Sequence, residues 1–415
     1  MELAIGTPIG YQSNAAKAVG TFEYFLYDDF TSDLLAGQVN GTKAEPGPGV
    51  RSVADTGNNL SLSGGNLVTV GTVSGANPAL RWQVIRRALG QMAFFNLRPG
   101  AGVAYTVRVG WSSPANHAGV DALIFNNNNA LIPVIAGTIG ANIGTWEDNT
   151  DYTAVLIQRT SGYYWFLKGG AFTYWTLLWH LENGTTSLRC PVVSQAGTGG
   201  TPYTIRKVYI PVEKWVPSPI VSDGFSNWGV SDGLGHQEGI EAGIGSGGAA
   251  KSWTSVVGSW GATAGVANAT ALTGGRAIAT IDCGKADIVI SCNMTVPANT
   301  FSICVRWVDE NNFIMLRRTT TNLQLVKVVA GTPTTVSDVG VTYVAGAPVR
   351  LICSGTKFQM FYNSANVSTE QTISDAVLQA STIVGLRSDN ISCTADNFIV
   401  LSRGTNNEHS ILDTF

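Results

Sequence analysis

The sequence predicts an all-β protein of two tandem jelly-roll β-sandwich domains. Three observations carry that reading: hydrophobicity that alternates with period two, a surface composition that is polar but nearly uncharged, and an internal repeat about one domain length apart. At 415 residues the chain is long enough for two full cores.

The alternation is clearest in the second half. Ala286-Asp287-Ile288-Val289-Ile290-Ser291-Cys292-Asn293-Met294 places every second residue on one face. The same pattern runs through 301–308, 322–328, 349–353 and 357–362. Short clusters such as Ala330-Gly331-Thr332-Pro333 separate these runs, and strands at this spacing with such turns build a sandwich or jelly roll. The best helical candidate, 79–89, also alternates at Trp82, Val84 and Arg86, and it too is read as strand.

Hydrophobic residues make up 44% of the chain and charged residues 13%, about half the usual ~25%. With 48 glycines and a net charge of -3, the surface is neutral and polar, which excludes disorder driven by charge. Lysine and arginine are scattered, with no footprint for nucleic acid. No apolar run reaches the ~18–20 residues of a spanning helix, so no membrane partner is expected. Met1-Glu2-Leu3-Ala4-Ile5-Gly6 lacks the features of a signal peptide. None of Cys190, Cys283, Cys292, Cys304, Cys353 and Cys393 falls in a metal-binding spacing. They are read as free, buried thiols, with one or two disulfides as the alternative; Cys292 continues the Ile288, Ile290, Met294 face.

Asp28-Asp29-Phe30, Asp223-Gly224-Phe225 and Asp413-Thr414-Phe415 each read D-x-F after an apolar stretch. Similar strands, Thr204-Ile205-Arg206-Lys207-Val208-Tyr209-Ile210 and Thr394-Ala395-Asp396-Asn397-Phe398-Ile399-Val400, precede the second and third copies. Pro211, Pro217 and Pro219 stiffen the intervening connector. The layout expected is an N-terminal arm at 1–25, sandwich domains at 26–219 and 220–409, and an ordered C-terminal strand at 410–415.

Val305-Arg306-Trp307-Val308-Asp309-Glu310-Asn311-Asn312-Phe313-Ile314-Met315-Leu316-Arg317 is followed by the 323–329 strand, Val349-Arg350-Leu351 and Phe358-Gln359-Met360-Phe361-Tyr362-Asn363. This order resembles the concanavalin A-like and laminin-G-like jelly rolls over most of 222–402, and the first domain is similar in outline. Such domains occur in phage structural proteins and bacterial surface proteins, so the resemblance implies a binding or building role.

Glycosidases share this architecture, so the chain's carboxylates bear on whether it is an enzyme. Retaining hydrolysis needs two carboxyls ~5–5.5 Å apart, and the chain lacks the E-x-D-x-x-E pattern of related glucanases. Glu147, Asp148 and Asp151 read as turn acids, and so do the adjacent Asp309 and Glu310. Ser231, in Gly229-Val230-Ser231-Asp232-Gly233, lacks the strand-to-helix context of a nucleophile elbow. The expectation is therefore no enzyme activity and no catalytic residue. Asp232, His236, Glu238 and Glu241 form a local set of oxygen and nitrogen donors that could hold Ca²⁺, although a plain glycine-rich loop explains them as well. In the aromatic segment 163–179, Trp165, Phe172 and Trp179 read as core. Tyr164 and Tyr174 are the outward pair that could stack on a ligand.

These readings predict a non-enzymatic virion structural or adhesion protein, a phage tail appendage or surface decoration, located on the virion. Its expected partners are other structural subunits in a homo-oligomer and cell-surface glycans. The alternative is a bacterial extracellular carbohydrate-binding protein.

Overall fold

The structure, a computed structural model, describes residues 17–19, 22–35, 37–45, 47, 49–55, 59–69, 78–83, 90–100, 105–113, 119–159, 162–181, 189–197, 203–212, 214, 219–225, 251–404 and 412. Its described elements are strands and one 3₁₀ turn, Ala376–Leu378, and the sheets form sandwich-like arrangements. The all-β expectation holds, including Ala79–Trp82, which is strand; residues 84–89 lie outside the described residues. The chain divides into two compact units, Met1–Trp215 with His409–Phe415, and Val216–Glu408.

In the first unit one sheet runs, in spatial order, Lys17–Val19, Phe22–Asp28, Thr204–Pro211, Met92–Arg98, Tyr152–Arg159, Gly162–Gly169 and Phe172–Leu181. The second sheet contains Tyr105–Ser112, Gly119–Phe125, Ala130–Ile135 and Cys190–Gly197. Trp111 ties the two together by donating its indole N–H to the Leu156 carbonyl at 3.2 Å. Gln158 does the same by donating to the buried carboxylate of Asp121 at 2.7 Å.

The second unit repeats the plan. One sheet runs Ser259–Thr263, Val266–Ala271, Thr394–Ser402, Ile288–Thr295, Ala347–Ser354, Lys357–Tyr362 and Ala365–Asn366. The other runs Thr254–Val257, Ala277–Asp282, Ile383–Ser388, Phe301–Asp309, Asn312–Arg318, Asn322–Val329 and Thr332–Gly340. Ile290, Leu351, Met360 and Val400 of the first meet Ile303, Leu316, Leu325 and Leu386 of the second in one buried cluster. A smaller cluster of Ile278, Cys304, Trp307, Phe313, Met315, Val326 and Val328 is also buried.

The D-x-F repeat has a physical explanation. Phe22–Asp28 pairs antiparallel with Thr204–Pro211, and Val221–Asp223 pairs with Thr394–Ser402, so the first two copies each end a strand that lies beside the last described strand of its unit. Asp28 accepts the Phe30 N–H (3.3 Å) and the Trp82 indole N–H (2.7 Å); Asp223 accepts the Phe225 N–H (2.7 Å) and the Trp253 indole N–H (2.6 Å). Both phenylalanines are fully buried with left-handed φ, 57° at Phe30 and 58° at Phe225. Each packs on its tryptophan, at 6.2 Å in one unit and 6.0 Å in the other. In the first unit Arg51 adds two bonds to Asp28, at 2.6 and 2.8 Å. The third copy, Asp413-Thr414-Phe415, lies outside the described residues. So does the segment expected as a strand at 410–415, apart from Leu412, which is buried and in 3₁₀ geometry.

Candidate functional site

Asp232, His236, Glu238 and Glu241, with Ser231, lie outside the described residues. Among the described residues no group of three or more His, Cys, Asp or Glu side chains could hold a metal ion. Tyr174 is 40% exposed on the edge strand Phe172–Leu181. Tyr164 is buried, its ring 4.4 Å from that of His180 on the neighbouring strand, so it offers no open face. The candidate acids are taken up in surface bonds: Asp151 pairs with Arg206 at 2.8 Å, Glu310 with Arg276 at 2.7 Å, and Asp309, at the end of its strand, accepts the Asn311 N–H.

A built site lies elsewhere, at one end of the second unit. The strand Phe301–Asp309 keeps register with Asn312–Arg318 as far as Val305, loses it, and regains it at Asp309. Within this bulge Arg306 takes a left-handed φ of 50°. A β-bulge re-aims side chains, and a non-glycine residue held in that region persists only where its surroundings impose it. Here the surroundings are hydrogen bonds, and Arg306 uses all five of its N–H groups. Nε donates to the Ala286 carbonyl (3.3 Å), and Nη1 to the carbonyl (2.9 Å) and side-chain Oε1 (2.7 Å) of Gln379. Nη2 donates to Asp287 Oδ1 (3.0 Å) and the Gly355 carbonyl (2.8 Å). The guanidinium also stacks over Phe358, 5.5 Å from the ring centroid. One side chain, 2% exposed, thus fastens three connections: the turn before Ile288–Thr295, the turn after Ala347–Ser354, and the segment before Ile383–Ser388.

These connections enclose a cleft of about 500 Å³ lined by Gly284, Lys285, Asp287, Thr356, Gln379 and Thr382 around Arg306. That volume is in the range of small-ligand sites, ~300–1,000 Å³. Its walls are held rigidly. Asp287 Oδ1 accepts the Gly355 N–H (2.8 Å), presented by a left-handed φ of 54°. Thr382 donates to Asp282 Oδ1 (2.6 Å), and this bond, against the opposing effect of burial, holds the Asp282 carboxyl below its ordinary range. Cys283 donates its thiol to the Lys285 and Thr382 carbonyls, and burial pushes that thiol up to about 11.

Arg306 therefore organises the cleft and has no donor left for a ligand. The groups left to face a ligand are Asp287, whose Oδ2 bonds to no described residue, and the Thr356 side chain; the Gln379 amide donates to the Ile373 (2.9 Å) and Asp375 (3.2 Å) carbonyls and keeps acceptor capacity at Oε1. Sequence reasoning missed this site. Its one signal was Arg306 itself, a cation inside the apolar run Ile303-Cys304-Val305-Arg306-Trp307-Val308, with no acid within two residues to pair with.

No protein-family model and no curated protein matches the chain. Among solved structures, it is similar to a GlcNAcα1-4Gal-releasing endo-β-galactosidase from Clostridium perfringens, at 8% identity and TM-score 0.34, over 91% of this chain and 99% of that one. A xylan β-1,4-xylosidase from Bacillus halodurans matches at 10% identity and TM-score 0.29, over 92% of this chain and 91% of that one. The carbohydrate-binding module CBM66 from Bacillus subtilis matches at 13% identity and TM-score 0.29, over 36% of this chain and 92% of the module. These findings correct one expectation. The sequence reading excluded catalysis, but glycoside hydrolases stand among the structures the chain resembles, so that exclusion is withdrawn. At these identities and TM-scores the likeness assigns neither a ligand nor a reaction to this chain.

Proposed function

We propose that the protein is a glycan-binding β-sandwich protein and that the cleft around Arg306 captures the carbohydrate. The observation that carries this reading is the cleft's lining: Arg306, Asp287, Gln379 and Thr382 held by hydrogen bonds, with Lys285 and Thr356 beside them and no aromatic or large aliphatic wall. A polyhydroxylated ligand satisfies such an array of directional donors and acceptors, whereas an apolar ligand would strand them unpaired. Rigid walls lower the entropy lost on binding.

The test is an array of immobilised glycans probed with the full chain and with Asp287→Asn. The amide oxygen can still accept from Arg306 and Gly355, but the free Oδ2 becomes a donor. Binding should fall at least ~10-fold, about 1.4 kcal/mol; the melting temperature falls too, because the buried Arg306 loses its acidic partner, and an unchanged circular dichroism spectrum reports that the fold is kept. Release of reducing sugar, measured in the same incubations, reports separately on hydrolysis.

One observation favours a particular setting. All six cysteines are free and buried, as suits a protein assembled in a reducing compartment. We propose on that basis a virion attachment or adhesion protein that assembles with copies of itself and other structural subunits, rather than a secreted lectin. A bound Ca²⁺ would belong to residues 232–241, not to this cleft.

A further inference from the structure

We propose that the outer face of one sheet of the second unit binds an acidic oligosaccharide, with Arg317 and Arg387 taking the carboxylate of a hexuronate ring and Gln324 and Asp338 the hydroxyls of the next ring. The inference rests on the glycan-binding reading but not on the Arg306 cleft. Ser302, at the centre of the site, stands four residues before Arg306, roughly 13 Å back along the same strand.

The strand registers place these side chains in one row. Ser302 pairs with Arg387 on one side and with Arg317 on the other; Arg317 pairs with Gln324, and Gln324 with Asp338. The row faces outward, because the adjacent row, Leu386, Ile303, Leu316 and Leu325, enters the core between the sheets. Side-chain bonds follow the registers. Arg317 Nε donates to Gln324 Oε1 (2.8 Å), and Gln324 Nε2 donates to Asp338 Oδ2 (2.8 Å). On the other side Arg387 Nε donates to Asp389 Oδ1 (3.1 Å).

Each guanidinium is therefore fixed through Nε, while its Nη groups bond to no described residue. Those outer N–H groups are the ones that grip a carboxylate. Ser302 floors the space between them: it is 1% exposed, and its hydroxyl bonds to no described residue. The arginine backbones stand two strands apart, roughly 10 Å, a span that two such long side chains can close on one anion. Among the described residues Arg387 pairs with Asp389, and Arg317 pairs with no acid. That balance selects the ligand. With Asp389 beside one arginine and Asp338 at the far margin, a singly charged planar carboxylate suits the site better than a phosphate of higher charge. Gln324 and Asp338 extend the row by two more strands, again roughly 10 Å, about the reach of a second sugar ring. Asp338 is exposed and keeps acceptor capacity for hydroxyls.

The test is binding of the full chain to immobilised oligomers of galacturonate, glucuronate and mannuronate, each beside its methyl ester, with dextran sulfate as a further surface. The wild type should bind at least one uronate, and the matching ester at least ~10-fold more weakly. Arg317→Gln should weaken uronate binding by a similar factor at unchanged melting temperature. Arg317→Lys, which keeps the charge but not the fork, should restore little of it. The proposal fails if no uronate binds, if ester and acid bind alike, or if Arg317→Gln binds like the wild type. Equal binding to dextran sulfate and the uronates would mean attraction by charge alone and would also overturn it. If Asp287→Asn loses the uronate while Arg317→Gln keeps it, the acidic sugar sits in the cleft; this site then falls and the glycan-binding reading stands. If neither the uronates nor the glycan array binds the wild type, both fall.

Discussion

Asp28 and Asp223 are buried carboxylates that each fix a turn and a tryptophan at the point where a strand ends. Each accepts a main-chain N–H two residues ahead and an indole N–H much further along, and each holds a phenylalanine in a left-handed conformation that only tight surroundings sustain. A hydrogen bond to a charged group contributes about 1.5–3 kcal/mol. Trp253→Phe should therefore lower the stability of the second unit by about that amount, and Trp82→Phe that of the first. In urea unfolding followed for both units, each substitution should move the transition of its own unit only. The D-x-F repeat was legible in the sequence; its tryptophan partners were not. They stand 54 residues ahead of Asp28 and 30 ahead of Asp223, so no fixed spacing marks them. The cleft was hidden for the same reason: Arg306 finds its partners 19, 49 and 73 residues away.

At the scale of the strand, period-two alternation gave sheet faces that the fold keeps. Ile288, Ile290, Cys292 and Met294 all enter the main core of the second unit, as their spacing predicted. Where a bulge interrupts the alternation, between Val305 and Asp309, the pattern said nothing, because two extra residues look like ordinary sequence noise. The strands also bury reactive groups. Burial pushes the Cys304 and Cys353 thiols up to about 12 and the Cys393 thiol to about 11, against an ordinary 9.0. Such a group keeps its proton in the fold but loses it in the unfolded chain above about pH 9, so its stabilising effect is complete below that pH and is lost as pH rises toward 11–12. Melting temperature should accordingly be insensitive to these thiols at pH 8 and fall between pH 9 and 11. A thiol reagent at pH 8 should find none of the six in the native protein and all six in denaturant without reductant. Fewer than six would reveal a disulfide and return the protein to an oxidising compartment.

Across the whole molecule, two sandwich units are built from a chain poor in charge. Low charge leaves recognition to hydrogen bonding and stacking rather than to long-range attraction, so binding should depend weakly on salt. The central claim is that the bulged Arg306 builds the cleft and that the cleft captures a glycan. Isothermal titration of the array's strongest glycan into wild type and Arg306→Lys tests it most directly. Lysine keeps the positive charge beside Asp287 but cannot reach the Ala286, Gly355 and Gln379 acceptors together, so the three connections loosen while the sheets remain. The account predicts an affinity loss of at least ~10-fold with an unchanged far-ultraviolet circular dichroism spectrum. Equal affinity in the two proteins would contradict it.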